Sequence, residues 1–161
     1  MRTLAANTNV FSLAVLSNGY LASGDFGGVI EIWNTNSIIN DPIRTLSSNS
    51  VVRSIAVLPN GYLASGDLGG NIKIWNADDS TSNGPITTIN SAHGDYVNAL
   101  AVLQNGYLAS GSDDYSIKIW NSTDWSQTLI RTHANWVLSL AVLQNGYLAS
   151  GSGDNTIKIW S

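Results

Sequence analysis

No cysteine occurs in the sequence, so neither a disulfide framework nor a thiolate metal site is available, and the redox compartment stays open. Positive charge is scarce: seven Lys and Arg, scattered along the chain, stand against eleven Asp and Glu, for a net charge of −4. With no basic patch, a nucleic-acid backbone or an anionic membrane surface finds little to hold, and both are set aside as partners. No apolar run approaches the ~20 residues of a membrane-spanning helix. The opening "MRTLAANTNVFSLAVL" has a charge followed by apolar residues, as a signal peptide would. Asn7, Thr8 and Asn9 interrupt it, and it falls into register with interior segments, so it reads as mature structure. Charged residues make up only 11% of the chain, and Asn, Ser, Thr and Gly carry the polar surface instead. What remains is 43% hydrophobic residues in 161, enough for one domain with its own core.

That material is repetitive. "NGYLASG" appears at 18–24, 60–66, 105–111 and 145–151. Trp33, Trp75, Trp120 and Trp160 are spaced by 42, 45 and 40 residues, a period that signals propellers or solenoids. Each unit has an apolar run ("SLAVL" 12–16, "SIAVL" 54–58, "ALAVL" 99–103, "SLAVL" 139–143), then an Asn-Gly pair. Asn-Gly predicts a two-residue hairpin with positive φ at both positions. "YLASG" follows, then a Gly/Asp-rich turn and an alternating strand ending at Trp: "VIEIW", "NIKIW", "SIKIW", "TIKIW". Short β-prone segments, "PIRTL" 42–46, "PITTI" 85–89 and "TLIRT" 128–132, lie between the units. Four short antiparallel strands per unit cannot bury both faces of their sheet, so neighbouring units must stack.

"SAHGDYVNALAVLQNGYLASGSDDYSIKIWN" at 91–121 resembles the repeat of the WD-repeat β-propeller family, and the likeness extends over essentially the whole chain. The units end Trp-Asn or Trp-Ser rather than Trp-Asp, His93 and His133 follow Ala92 and Thr132, and the first two units lack His. The resemblance implies an all-β fold: a β-propeller of four-stranded antiparallel blades, four per chain. The chain is expected to be a single half-propeller domain, 1–161, with repeats at 1–34, 43–76, 86–121 and 129–161. Each repeat holds an outer strand followed by the three inner strands of the next blade. On this reading the start, with Arg2, Thr3 and Leu4 matching "PIRTL", supplies the outer strand that the last blade lacks. Rings of this family usually have seven or eight blades, and an open half-ring bares an apolar face and a strand edge at each end. Two copies exchanging N-terminal strands resolve both, so a homodimeric eight-blade ring is expected, ahead of a four-blade monomer.

The third unit holds His93, Ser110, Asp114 and Trp120, and the fourth His133, Ser150, Asp154 and Trp160. Either set has the composition of a hydrolase triad. Yet a Ser hydroxyl, an imidazole, a carboxylate and an indole N–H can also satisfy one another in a buried chain, and the family resemblance implies the same structural tetrad. Units one and two place Ala6 and Ser48 at the His positions and Gly27 and Gly69 at the Asp positions, so both partners are lost together. A structural role is expected, and no catalytic residue is assigned. The Asp pairs at 78–79 and 113–114 lack calcium-loop spacing, and no helix follows the Gly pairs at 27–28 and 69–70, so neither a metal nor a cofactor is implied. "NST" at 121–123 is a glycosylation triplet only in a secreted chain.

Where units differ, function has room to be written. "AVLQNGYLASGS" at 101–112 returns unaltered at 141–152. Variation gathers around the Val that opens each inner strand (Val10, Val52, Val97, Val137). Asn9, Val51, Tyr96 and Trp136 precede it; Phe11, Arg53, Asn98 and Leu138 follow it. Phe26, Leu68, Asp113 and Gly153 occupy the turn before the third strand. The resemblance puts these positions on the rim around the central channel. Aromatic residues and Arg dominate interface energetics, so Phe11, Phe26 and Arg53 lead the candidates for a partner-binding rim. Tyr96 and Trp136 serve either as contacts or as covers for the loops beneath them, and Trp125 either as an anchor or as a lid on the opposite rim. The reading is a non-enzymatic scaffold that binds itself as a homodimer and a protein or peptide on its rim. A purely structural self-assembling repeat is the alternative, and a Ser/His/Asp hydrolase a remote one.

Overall fold

The computed structural model describes residues 3–161, and every regular element among them is a β-strand. The first sheet contains β1 (Val10–Val15), β2 (Leu21–Asp25), β3 (Val29–Trp33) and β4 (Arg44–Ser47), hydrogen-bonded in that order. The second repeats the order with β5 (Val52–Val57), β6 (Leu63–Asp67), β7 (Ile72–Trp75) and β8 (Thr87–Ile89). The third has β9 (Val97–Val102), β10 (Leu108–Ser112), β11 (Ser116–Trp120) and β12 (Gln127–Thr132). The fourth has only three strands, β13 (Val137–Val142), β14 (Leu148–Ser152) and β15 (Ile157–Trp160). All pairings are antiparallel, and the "YLASG" strand sits centrally in each blade.

The Asn-Gly hairpins differ from the two-residue turn expected of them. Only the glycines, Gly19, Gly61, Gly106 and Gly146, have positive φ, near 85°. The Gly19 N–H donates to the Leu16 carbonyl at 2.9 Å and the Leu16 N–H to the Tyr20 carbonyl at 2.8 Å, which closes a three-residue loop. Such loops use an ordinary turn followed by one left-handed residue, and Gly fills that place. Asn18 instead uses its side chain, whose oxygen accepts the Tyr20 N–H at 2.9 Å, and Asn60, Asn105 and Asn145 do the same.

Three seams between consecutive blades hold the core. In the first, Ala22, Ile30, Ile32 and Leu46 pack against Val52, Ile55, Leu63 and Trp75 of the next blade. Ala64, Ile72 and Ile74 meet Val97, Leu108 and Trp120 in the second; Ile117 and Ile119 meet Val137 and Leu148 in the third. Every fully buried side chain of this kind contributes about 1.5–3 kcal/mol relative to exposure. Close approach depends on the glycine of each central strand. A Cβ at Gly24 would lie 2.5 Å from Val52 Cγ1, at Gly66 2.4 Å from Val97 Cγ1, and at Gly111 2.6 Å from Val137 Cγ1. The opening Val of each blade is a knob, and the glycine of the blade before it is the hole.

The four blades form an open arc. At one end Leu13 and Val15 of β1 are exposed, whereas Ile55, the counterpart of Leu13, is buried. At the other, Ile157 and Ile159 are exposed at 78% and 53%, whereas Ile30, Ile72 and Ile117 are completely buried. Of the expected closing strand, Arg2 lies outside the described residues, and Thr3 and Leu4 pair with no strand in the single chain. Leu4 nonetheless rests beside Val10, Leu13, Leu21 and Trp33.

Gly66→Ala is expected to lower stability by about 1–3 kcal/mol through overpacking at the second seam, read from the denaturant midpoint. The φ of Gly66 lies outside the left-handed region, so the loss reports contact with Val97 and Ser54 rather than backbone strain.

Candidate functional site

The variable positions follow from one local irregularity repeated four times. In each blade the register of the innermost strand slips directly after its opening Val: between Val10 and Ser12, Val52 and Ser54, Val137 and Ser139, and across Asn98 in the third blade. A bulge leaves one residue out of the ladder and re-aims its side chain. Those residues are Phe11, Arg53, Asn98 and Leu138. The position before the Val is tied to the variable turn by a backbone bond in every blade. Phe26 N–H donates to Asn9 O (2.9 Å), Leu68 to Val51 O (3.2 Å), Asp113 to Tyr96 O (3.0 Å) and Gly153 to Trp136 O (2.9 Å).

These residues meet within and across blades. The Phe11 and Phe26 rings contact edge to face with centroids 6.3 Å apart. The Arg53 guanidinium lies over Phe11 at 5.3 Å and donates to Asn98 Oδ1 at 3.0 Å. Asn98 Nδ2 donates in turn to Asp113 Oδ1 and to the Val137 carbonyl at 3.1 Å. The contacts thus run in a row from the first blade to the opening Val137 of the fourth, apolar at the start and polar in the middle, with Leu138 next in sequence. Phe11, Phe26, Tyr96, Trp136 and Leu138 are exposed, whereas Arg53, Asn98, Val51, Leu68 and Asp113 are half-buried. Trp125 is away from this row. It packs against the second seam and borders a shallow groove with Tyr62, Ile74 and Ile86, as a lid would.

The Ser/His/Asp sets are assembled with closely similar geometry. Trp120 Nε1–H donates to Ser110 Oγ at 2.8 Å, Ser110 Oγ lies 2.6 Å from His93 Nε2, and His93 Nδ1 lies 2.9 Å from Asp114 Oδ2. In the fourth blade the matching distances are 2.8, 2.7 and 2.9 Å for Trp160–Ser150, Ser150–His133 and His133–Asp154. With the indole donating to the hydroxyl, the Ser proton goes to Nε2 and the Nδ1 proton to the carboxylate, so all donors are used. Ser110 and Ser150 are buried, as are His93 and His133. Burial alone would raise the Asp114 carboxyl, but bonds from His93, Ser116 and the Gly94 N–H outweigh it and hold it well below the usual carboxylate range. Asp154 is lowered likewise, first by Thr156 and the Ala134 N–H, then by His133.

The first two blades keep the indole–hydroxyl bond, Trp33 to Ser23 at 2.8 Å and Trp75 to Ser65 at 2.9 Å, without the imidazole. Their turn carboxylate has moved two residues toward the N-terminus, to Asp25 and Asp67, where the other blades have Ser112 and Ser152. Sequence reasoning overlooked this pair, although "SGDFGG" and "SGDLGG" against "SGSDDY" and "SGSGDN" display the exchange. The buried Asp67 accepts N–H bonds from Gly69 and Asn71 and pairs with Lys73 at 2.8 Å. Lys73 also donates to the Ser48 carbonyl, as Lys118 does to Ala92 (2.7 Å) and Lys158 to Thr132 (3.0 Å). In the first blade that position is Glu31. It is buried beside Asp25, and its Oε2 has no partner among the described residues. Burial and the neighbouring Asp25 charge push its carboxyl upward.

His93→Ala is expected to cost about 1–3 kcal/mol by leaving Asp114 under-satisfied, measured by denaturation near neutral pH. Because Asp114 is depressed in the folded state, its contribution is full above the ordinary carboxylate pKa and is lost as pH falls below it, so the gap between wild type and variant narrows in acid. Glu31 has the opposite sign: its raised carboxyl favours the fold on the acid side and weakens it as pH rises above the ordinary glutamate value. Glu31→Gln is therefore expected to flatten that decline. Glu31→Lys, which restores the Lys–Asp pairing of the second blade, is expected to raise Tm at neutral pH.

Comparison with known proteins agrees with this architecture. The family described as WD domain, G-beta repeat (WD40) matches residues 40–76, 83–121 and 125–161. No curated protein matches the chain in sequence. Among solved structures, the WD40 β-propeller domain of Doa1 superposes with a TM-score of 0.86 at 26% identity, over 98% of this chain and 52% of that one. U3-55K superposes equally well, at 27% identity, over 99% of this chain and 51% of that one. The chain therefore spans about half the length of these propellers. The computationally designed Ika4 protein shares the fold at 23% identity with a TM-score of 0.79, over 99% of this chain and 98% of that one. Family match, blade topology and the Trp that closes each unit, bonded through its indole to a central-strand Ser, converge: the chain belongs to the WD40 repeat family.

Proposed function

We propose that the protein is a non-enzymatic binding scaffold, in which two copies close an eight-blade ring and its rim takes a protein or peptide partner. The observation that carries this reading is the row Phe11–Arg53–Asn98. Residues up to 87 positions apart are aligned there by bulges on rigid strands and fixed to one another before any ligand arrives. Side chains held in advance lose little entropy on binding. The triad-like distances serve the interior instead, because Ser110 and Ser150 are enclosed and already accept an indole N–H.

The ends of the arc support closure by a second copy. Leu4, Val10, Leu13, Leu21 and Trp33 line one concavity, and the residues 42 positions later meet in the first seam, Leu46 from the blade before it and Val52, Ile55, Leu63 and Trp75 from the blade after. What the first blade lacks is a neighbour bearing Ile30 and Ile32, and the fourth blade offers Ile157 and Ile159 in those places. Its Gly151 is an unfilled hole: an added Cβ meets only Ser139 within 4 Å, and no valine. Val10 of another copy is the matching knob, with residues 2–4 as the outer strand beside β15. Leu13, Val15, Ile157 and Ile159 are 53–78% exposed in the single chain, and burying what remains contributes roughly 4–8 kcal/mol per seam, twice in a two-copy ring. A single association costs roughly 4–15 kcal/mol.

Light scattering is expected to give the mass of two chains, and Gly151→Leu, which fills the hole, to give single chains with an unchanged β-sheet spectrum. A compact single chain in the wild type overturns the ring. Separately, capture of peptides from an array is expected to fall with Arg53→Ala or Phe11→Ala at unchanged stability. Capture indifferent to both removes the rim from the account.

A further inference from the structure

We infer that each seam between the two copies carries a composite apolar cleft on the rim, which neither chain possesses alone and which takes a bulky apolar side chain next to an acidic one. The inference rests on the two-copy reading above. Within the chain, the bulged residue of each blade meets the next blade at the seam: Phe11 with Arg53, Arg53 with Asn98, and Asn98 with the Val137 carbonyl beside Leu138. Continued across the fourth seam, this places Leu138 of one copy against Phe11 of the other. Phe26 comes with Phe11, whose ring it touches, and Trp136, two residues before Leu138, borders the same seam from the other copy.

The consequence is a segregation of chemistry around the ring. Internal seams present a guanidinium, an amide and a carboxylate that satisfy one another. The seams between copies present Trp136, Leu138, Phe11 and Phe26, each 42–57% exposed in the single chain. An exposed aromatic cluster with a polar border is the form of a binding hot spot. Arg53 fixes the polarity of the occupant. It stacks on Phe11 at the border of the cleft, where one of its N–H groups is taken by Asn98, and further donors of the fork remain for a carboxylate. The two-fold axis repeats the cleft on the opposite side of the channel, so a partner with two such segments gains by linkage.

The absence of cysteine makes the seam directly readable. A chain carrying Phe11→Cys and Leu138→Cys, treated with a short bis-maleimide, is expected to yield a covalent two-chain product. A chain carrying Phe11→Cys and Arg53→Cys, whose sites adjoin at an internal seam, is expected to link within itself and serves as the ruler. Failure of the first pair while the second links overturns the cleft and leaves rim binding by single chains standing. Selection of a random seven-residue phage library on the wild type is expected to enrich a bulky apolar residue beside Asp or Glu. Those clones are expected to bind Leu138→Asp and Arg53→Ala on the order of tenfold more weakly. Enriched clones that ignore Leu138→Asp but respond to another rim variant remove the cleft alone, and no enrichment on the wild type removes the rim reading with it.

Discussion

A WD40 blade is a four-stranded sheet with two apolar faces, and it can bury neither without a neighbour. The seam between blades is therefore the interaction from which the other features of this structure follow. Its closeness is set by a side chain that is missing: Gly24, Gly66 and Gly111 admit the opening valine of the next blade to within about a methyl contact of the backbone. The isoleucines of the third strand and the tryptophan at its end then fill the remaining space from either side. Because each seam has a distinct front and back, an arc of any length ends in two different, mutually complementary faces, and this chain bares one of each.

Polar interiors are solved twice in the same molecule. Blades three and four use an indole, a hydroxyl, an imidazole and a carboxylate in series. Blade two uses a Lys–Asp pair together with a lysine-to-carbonyl bond, and keeps only the indole–hydroxyl part of the series. The first blade has the carboxylate of the second, as Asp25, but Glu31 in place of the lysine, and one Glu31 oxygen has no partner among the described residues. It is also the blade whose lead-in segment, residues 3–9, forms no strand of its own.

Much of this was legible beforehand because it is local. Strand alternation, the Trp period and the Ser/His/Asp/Trp spacing each repeat at matched positions, so the residues of the tetrads could be named from their chemistry together with the family resemblance. The hairpins misled because Asn-Gly suits two turns, and whether Asn takes positive φ depends on loop length rather than on the dipeptide. Asp25 and Asp67 escaped notice because alignment on the Asp of the later blades pointed to Gly27 and Gly69, and a carboxylate two residues away looked unrelated. It reaches its partners because the turn folds back on the strand it leaves.

Composition and period by themselves determined that this chain builds stacked antiparallel sheets, which residues face the seams, and which positions are free to vary, since these depend only on side-chain type and spacing along a strand. Which of the variable positions touch was decided by tertiary structure. Arg53 finds Phe11 42 residues earlier and Asn98 45 residues later because a bulge turns each out of its ladder and seam packing sets the distance between blades. Neither effect has a signature in the neighbouring residues, because both arise where two sheets meet.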